Sequence, residues 1–280
     1  MQFLSSPFQP SMADHCRTEV LASRPSPAHE DDTRFTYGGG VAYWDNRFSE
    51  DAADGETFDW LFDYASLRGF LREYIPQHAD VLQVGCGNSD LAVAWCKGGH
   101  SGGLVNVDNS AYVIDMLRAQ QDNSLPNLRY VLGDVRCLSE DDFPSESFDA
   151  VLDKATFDCI ACNPENQKDL EAMLLSIFRV LRPGGVYLLI SCGDPESRLC
   201  WLDDQPGLEW SVSARHMAIR SDSDTEACHH ASKPIRKRRD VFASEEVMLT
   251  SNDDWETQLG ELVEDEHTFV YLCRKSDRAV

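Results

Sequence analysis

The feature that most constrains this chain is a fivefold alternation of short apolar runs with helix-patterned stretches, in which the runs close on glycine or aspartate. Val81–Val84 breaks into Gly85-Cys86-Gly87. Leu104–Val107 ends at Asp108, Leu128–Leu132 at Gly133-Asp134, and Phe148–Leu152 at Asp153. A fifth run, Val186–Ile190, follows the breaker Pro183-Gly184-Gly185. Runs this short and this apolar suit buried strands. Between them, helices are expected over Ser89–Lys97 (capped by Asn88 or Ser89), Ser110–Gln121 and Gln167–Leu181. The last carries Leu170, Met173, Leu174, Ile177, Val180 and Leu181 at helical spacing. Strand alternating with helix implies a parallel sheet covered on both faces, joined by right-handed crossovers. Ligands of such sheets bind beyond the carboxyl ends of the strands. Here the glycine pair and Asp108, Asp134 and Asp153 all fall on that rim.

Trp210–Ala214 supplies a sixth strand. His267–Cys273, with Phe269, Val270, Tyr271 and Leu272, supplies a seventh, antiparallel at the edge. The expected fold class is therefore α/β: a Rossmann-like, doubly wound, mostly parallel sheet of about seven strands with an antiparallel edge strand and helices on both faces. Residues 1–36, rich in Ser, Pro and acids without periodicity, read as a flexible N-terminal arm. Residues 37–280 read as one domain, with 221–265 an insertion or mobile loop region. Within 41–75, aromatic residues crowd together. Phe58, Leu61, Phe62, Ala65 and Gly69 recur at helical spacing, giving one or two helices ended by Pro76.

Composition excludes several function classes. No apolar run approaches the roughly 20 residues needed to cross a bilayer. The N-terminus lacks the basic-then-apolar pattern of a secretory signal, and Arg17, Arg24 and Arg34 lie among acids, unlike a transit peptide. The 10 cysteines are scattered and suit reduced thiols in a cytoplasmic protein. With 48 acidic against 25 basic residues, the net charge is -23. That charge repels nucleic-acid phosphate and anionic lipid, so neither is an expected partner; it attracts a basic protein, and it also serves solubility alone. The cluster Lys233–Arg239 reads first as a solvated loop and second as a nuclear signal. Cys159-Ile160-Ala161-Cys162 has no second cysteine pair at metal spacing, even beside His229-His230, so no metal is expected. The chain is expected to be monomeric.

The rim residues also narrow the ligand. Gly85-Cys86-Gly87-Asn88-Ser89 lets the backbone turn tightly and approach a ligand, although an ordinary tight turn uses the same residues. Asp108, 21 residues beyond Gly87, stands where an acid reaches a ribose hydroxyl pair. A nicotinamide cofactor wants a third glycine at position 90 and a helix N-terminus free for pyrophosphate. Position 90 is Asp90, a negative charge where phosphate would sit. S-adenosylmethionine carries adenine, ribose and a cationic end without phosphate. It matches Asp108 for the ribose and Asp134 for the adenine amino group.

In order along the chain stand Tyr43-Trp44-Asp45-Asn46-Arg47-Phe48, Phe58-Asp59-Trp60, Gly85-Cys86-Gly87-Asn88-Ser89, Val107-Asp108-Asn109-Ser110, Gly133-Asp134-Val135, Leu152-Asp153-Lys154-Ala155-Thr156-Phe157-Asp158 and Leu181-Arg182-Pro183-Gly184-Gly185. Over roughly residues 41–200, this order resembles the elongation factor 1-alpha lysine methyltransferases, a group within the class I S-adenosylmethionine-dependent methyltransferases. The Gly-Cys-Gly-Asn-Ser and Asp-Lys-x-Thr-x-Asp pieces are its specific part; the Pro-Gly-Gly turn is common to the wider class.

The resemblance implies S-adenosyl-L-methionine as cofactor and a basic protein substrate, elongation factor 1-alpha among the candidates. It places Trp44, Phe48, Trp60, Gly85, Gly87, Asp108, Asn109, Asp134, Val135 and Lys154 at the cofactor. Core packing is an even alternative for Trp60 and a weaker one for Trp44. Transfer is expected to be direct, with Asp153 or Asp158 orienting the amine or accepting its proton. Three alternatives stay open: a small-molecule acceptor, aminopropyl transfer, and a non-catalytic module that kept the fold. Residues 200–267 are longer and less patterned than the family's later segment, so acceptor identity transfers least.

Overall fold

In the computed structural model, which describes residues 40–53, 57–163, 166–203, 205–219, 241–259 and 268–277, Val81–Val84 forms β1, buried throughout. The other strands are β2 (Leu104–Asp108), β3 (Leu128–Leu132), β4 (Phe148–Lys154), β5 (Leu181–Ser191), β6 (Trp210–Ile219), β7 (Val241–Ala243), β8 (Val247–Met248) and β9 (Thr268–Lys275). They form one sheet in the order β3-β2-β1-β4-β5-β9-β6-β7, with β8 also pairing β6. β1 to β5 run parallel. The chain steps outward from β1 to β3 and then returns to lay β4 on the other flank of β1. A crevice opens where the direction reverses, beyond the carboxyl ends of β1 and β4.

Alternation along each strand sends successive side chains to opposite faces, and each face meets its own helices. On one face Leu82, Val84, Val151 and Leu189 pack against Leu170, Met173 and Ile177 of α6 (Gln167–Val180). On the other, Val81, Leu104, Leu152 and Ile190 pack against Leu67 and Leu71 of α2 (Tyr64–Tyr74), Leu91 and Trp95 of α3 (Leu91–Lys97), and Val113 and Ile114 of α4 (Ala111–Ala119). α1 (Val41–Ala53) precedes these, and α5 (Thr156–Ala161) follows β4 directly. α7 (Pro195–Leu202) and α8 (Trp255–Leu259) complete the α-helices among the described residues, and a short 3-10 turn covers Val135–Cys137. Asp63 and Ser110 cap α2 and α4 by accepting from the backbone N–H of Ser66 and Val113.

The doubly wound, mostly parallel sheet with an antiparallel end is the expected one. β9 slots between β5 and β6, antiparallel to both, because Phe269, Val270, Tyr271, Leu272 and Cys273 are all buried and need cover on both faces. β7 and β8 then extend that end beyond the seven strands expected. Three expectations are corrected. Phe58, Leu61 and Phe62 are not helical: Leu61 has a left-handed φ of 63° and Asp63 starts α2. β6 runs on to Ile219, past Ala214. Residues 241–259, expected as loop, hold β7, β8 and α8. The arm 1–36, His229-His230 and Lys233–Arg239 lie outside the described residues.

Candidate active site

At the carboxyl ends of β1, β2, β3 and β4 lies a cleft of about 1130 Å³, including its open mouth. Small-molecule sites take roughly 300–1,000 Å³. Trp44, Phe48, Trp60, Gly85, Gly87, Asp108, Asn109, Asp134, Val135 and Lys154 all line it. Residues drawn from α1, the 57–63 segment and four strand ends therefore share one wall.

The floor is built by backbone conformation. Gly85 has φ +57°, and a Cβ there would lie 2.0 Å from Thr156 Oγ1. Thr156 in turn donates to the Val84 carbonyl at 3.0 Å, so the turn after β1 is locked against the start of α5. Gly87 has φ +53° and presents its N–H to Asp108 Oδ2 at 2.9 Å. Asp108 Oδ1 accepts from Ser110 N–H at 3.0 Å. Burial pushes the Asp108 carboxyl up, while the Ser110 and Gly87 N–H groups oppose that shift. Gln83, on β1 just before this turn, lines the same cleft; its Oε1 is buried without a hydrogen-bond partner among the described residues.

The roof is an N-terminal lid held by carboxylates. Asp45 accepts from Ser110 Oγ, Asp51 from Asn88 Nδ2 at 3.3 Å, and Asp59 from Ser89 Oγ. Lys154 Nζ donates to Asp59 Oδ1 at 3.0 Å and to the Trp60 carbonyl at 2.8 Å. Burial pulls the Lys154 ammonium down, and Asp59 opposes it. The lid's rings form a continuous aromatic surface. Trp44 stacks on Phe48 at 5.7 Å, and Trp60 meets Trp44 edge-on at 6.5 Å and Phe58 at 5.0 Å. Aromatic faces of this kind exclude water and favour a cation.

At the far end, Asp134 is paired with Arg136, a residue the sequence reading missed. Arg136 Nη2 reaches Asp134 Oδ2 at 2.6 Å and its Nη1 reaches Asp169 Oδ2 at 2.5 Å. Burial raises the Asp134 carboxyl, but the Arg136 hydrogen bonds outweigh it and hold the group below the usual carboxylate range. The signal available was the arginine two places after a strand-end acid.

The two residues expected to handle the amine are placed elsewhere. Asp153 accepts from the backbone of Thr156 and Phe157 and from Tyr187 Oη at 2.9 Å. Asp158 accepts from Ser191 Oγ at 2.6 Å, Cys192 N–H at 2.9 Å and Arg198 Nη2 at 2.9 Å. Neither lines the cleft. Their oxygens are engaged by core partners.

Fold and cleft together define a doubly wound α/β protein with a ligand-sized cleft across the carboxyl ends of β1, β2, β3 and β4. The Gly85 turn has no room for a side chain, and the Asp108 and Asp134 carboxylates and the Gln83 amide line the same wall. A family model described as a methyltransferase domain matches residues 75–266. EEF1A lysine methyltransferase 4 of Mus musculus is 33% identical over 189 residues, 65% of this chain and 71% of that one. The eEF1A lysine and N-terminal methyltransferase of Bos taurus is 29% identical over 255 residues, 84% of this chain but 35% of its own length. This chain thus spans about a third of that longer relative. Among solved structures, a TehB-like S-adenosylmethionine-dependent methyltransferase of Corynebacterium glutamicum overlays with a TM-score of 0.45 at 16% identity, covering 82% of this chain and 95% of that one. The chain belongs to the S-adenosylmethionine-dependent methyltransferases. No helix among the described residues is long and apolar enough to cross a membrane.

Proposed function

We propose that this chain transfers a methyl group to the ε-amino group of a protein lysine, with elongation factor 1-alpha as the candidate acceptor. The observation that carries the reading is the 33% identity to EEF1A lysine methyltransferase 4 across 71% of that protein. S-adenosylmethionine supplies an electrophilic methyl group on a sulfonium, open to in-line attack by a neutral amine. This chain's residues supply position and dryness. Asp108, fixed by the Gly87 and Ser110 N–H groups, holds the ribose end. Trp44, Phe48 and Trp60 shield the cationic centre from water. Asp153 and Asp158 keep the rim rigid from behind. In this reading the protein acts as a cytoplasmic monomer on a basic partner.

The test is transfer of isotope-labelled methyl to purified elongation factor 1-alpha, followed by peptide mapping. Label on a lysine, absent with Asp108→Ala, supports the reading. Label only on small molecules, or transfer of an aminopropyl group from decarboxylated cofactor, moves the enzyme to the rival acceptor classes. Cofactor binding without any transfer leaves the non-catalytic binding module.

A further inference from the structure

We propose that Ser110 makes closure of the N-terminal lid and capture of the cofactor's ribose a single event, with Asp45 as the positioning residue that acts through it. Ser110 is fully buried at the turn between β2 and α4 and serves three neighbours at once. Its N–H donates to Asp108 Oδ1 at 3.0 Å. Its Oγ accepts from the Val113 N–H at 3.3 Å, capping α4. Its hydroxyl donates to Asp45 Oδ1 of α1 at 2.5 Å. A hydroxyl has one proton and two lone pairs. Giving the proton to the lid leaves the lone pairs for the helix cap, so all three contacts stand together.

The other oxygen of Asp108 is held in a similar way. Oδ2 accepts from the Gly87 N–H at 2.9 Å. The next two residues are gripped from the lid, Asn88 by Asp51 at 3.3 Å and Ser89 by Asp59. Each donor to Asp108 therefore lies in a loop that a lid carboxylate holds. The α1 rings that line the cleft, Trp44 and Phe48, flank Asp45. Burial raises the Asp108 carboxyl, and the Asp45 charge raises it further against the Ser110 and Gly87 N–H groups. Ribose hydroxyls donated to Asp108 relieve that repulsion. An occupied site then favours the closed lid, and a closed lid favours the occupied site to the same degree. Ser110 and Asp45 act this way on the reading that Asp108 receives the ribose.

The test is calorimetric binding of S-adenosylhomocysteine to the full chain in two double-mutant cycles. Alanine is the best helix former, so Asp45→Ala removes the anchor of the lid without weakening α1. It should weaken binding on the order of tenfold, the weight of one charge-assisted hydrogen bond. In an Asp108→Asn background no carboxylate is left for Ser110 to fix, and the same change should weaken binding by no more than about threefold. In a Ser110→Ala background the partner of Asp45 is already gone, and the further loss should stay below about twofold. A lid that only adds its own ring contacts loses the same factor in every background, and that result overturns the proposal. Asp108→Asn binding as tightly as wild type sinks the ribose reading and the coupling with it. A weakened Asp108→Asn in which the Asp45→Ala loss is undiminished sinks the coupling alone. If Ser110→Ala loses its helix cap and fails to fold, the cycle between Asp45 and Asp108 decides.

Discussion

Lys154 and Asp59, 95 residues apart in sequence, form an ion pair that joins the lid to the wall of the cleft. Their side chains are 5% and 17% exposed. Asp59 comes from the lid and Lys154 from the end of β4, so the pair fastens one to the other. The residues beside each partner carry local strain. Leu61 and Ala155 have φ of 63° and 68°, a conformation costing a non-glycine residue about 1–3 kcal/mol.

Removing one partner of such a pair strands a buried charge, which costs about 3–5 kcal/mol, whereas replacing both with apolar residues costs far less. Asp59→Asn is therefore expected to lower the urea midpoint more than the double substitution Asp59→Leu with Lys154→Met. Both should speed release of S-adenosylhomocysteine, because either one unfastens the lid. Denaturation curves and stopped-flow dissociation measure the two effects. Equal midpoints for single and double variants would mean that the pair is screened by solvent and holds nothing.

Asp153 gives a pH prediction. Burial raises its carboxyl from 3.8 to about 7, partly offset by the Tyr187 hydroxyl. Between about pH 4 and 7 the folded chain then binds one proton more than the unfolded chain. Its stability accordingly falls as pH rises through that window, by up to about 1.4 kcal/mol per pH unit, and the fall ends above 7. Asparagine mimics the protonated acid and keeps an acceptor for the Thr156 and Phe157 N–H groups. Asp153→Asn should gain on wild type steadily from pH 5 to pH 7 in urea melts. Parallel pH profiles for the two proteins would show that the native carboxyl is already ionised at pH 5.

The strands and the lining of the cleft were legible because they rest on local pattern. A strand-end acid and a Gly-x-Gly turn are sequence-adjacent to the structure that positions them, as with Gly85, Asp108 and Asp134. What was illegible depends on where a side chain points after the chain turns. Asp153 and Asp158 carry the right chemistry at the right strand end, yet Tyr187 and Arg198, which arrive from β5 and α7, draw them inward. Arg136 and Asp169 are 33 residues apart, and only the docking of α6 brings them together. The helical spacing of Phe58, Leu61 and Phe62 was genuine but misleading. The left-handed turn at Leu61 lets Phe62 reach the core from a loop.

Gly85→Ala tests the floor of the cleft. The added Cβ meets a left-handed backbone and the Thr156 side chain at once, with Oγ1 at 2.0 Å and Cγ2 at 2.8 Å. The conformation alone costs roughly 1–2 kcal/mol, and overpacking typically adds about 1–3 kcal/mol. Cofactor affinity should drop sharply, since the displaced turn carries the Gly87 N–H that fixes Asp108. Adding Thr156→Ala removes Oγ1 and Cγ2, so the double variant should recover part of the stability. Thermal midpoints of the three proteins check this, and a neutral Gly85→Ala would mean the turn is free to shift.

The acidic balance makes a prediction about the acceptor that separates steering from mere solubility. With a net charge of -23, the protein should speed its encounter with a basic protein at low ionic strength. Salt weakens such steering once the screening length falls below about 10 Å, at roughly 0.1 M. Encounter affects kcat/KM, while kcat reports only the steps after the acceptor has docked. Raising salt from about 50 to 300 mM should therefore lower kcat/KM for elongation factor 1-alpha several-fold and leave kcat nearly unchanged. A short lysine peptide, carrying little charge, should show a much flatter dependence. If protein and peptide respond alike, the acidic surface does not choose the partner, and the lysine must be selected by contacts at the mouth of the cleft alone.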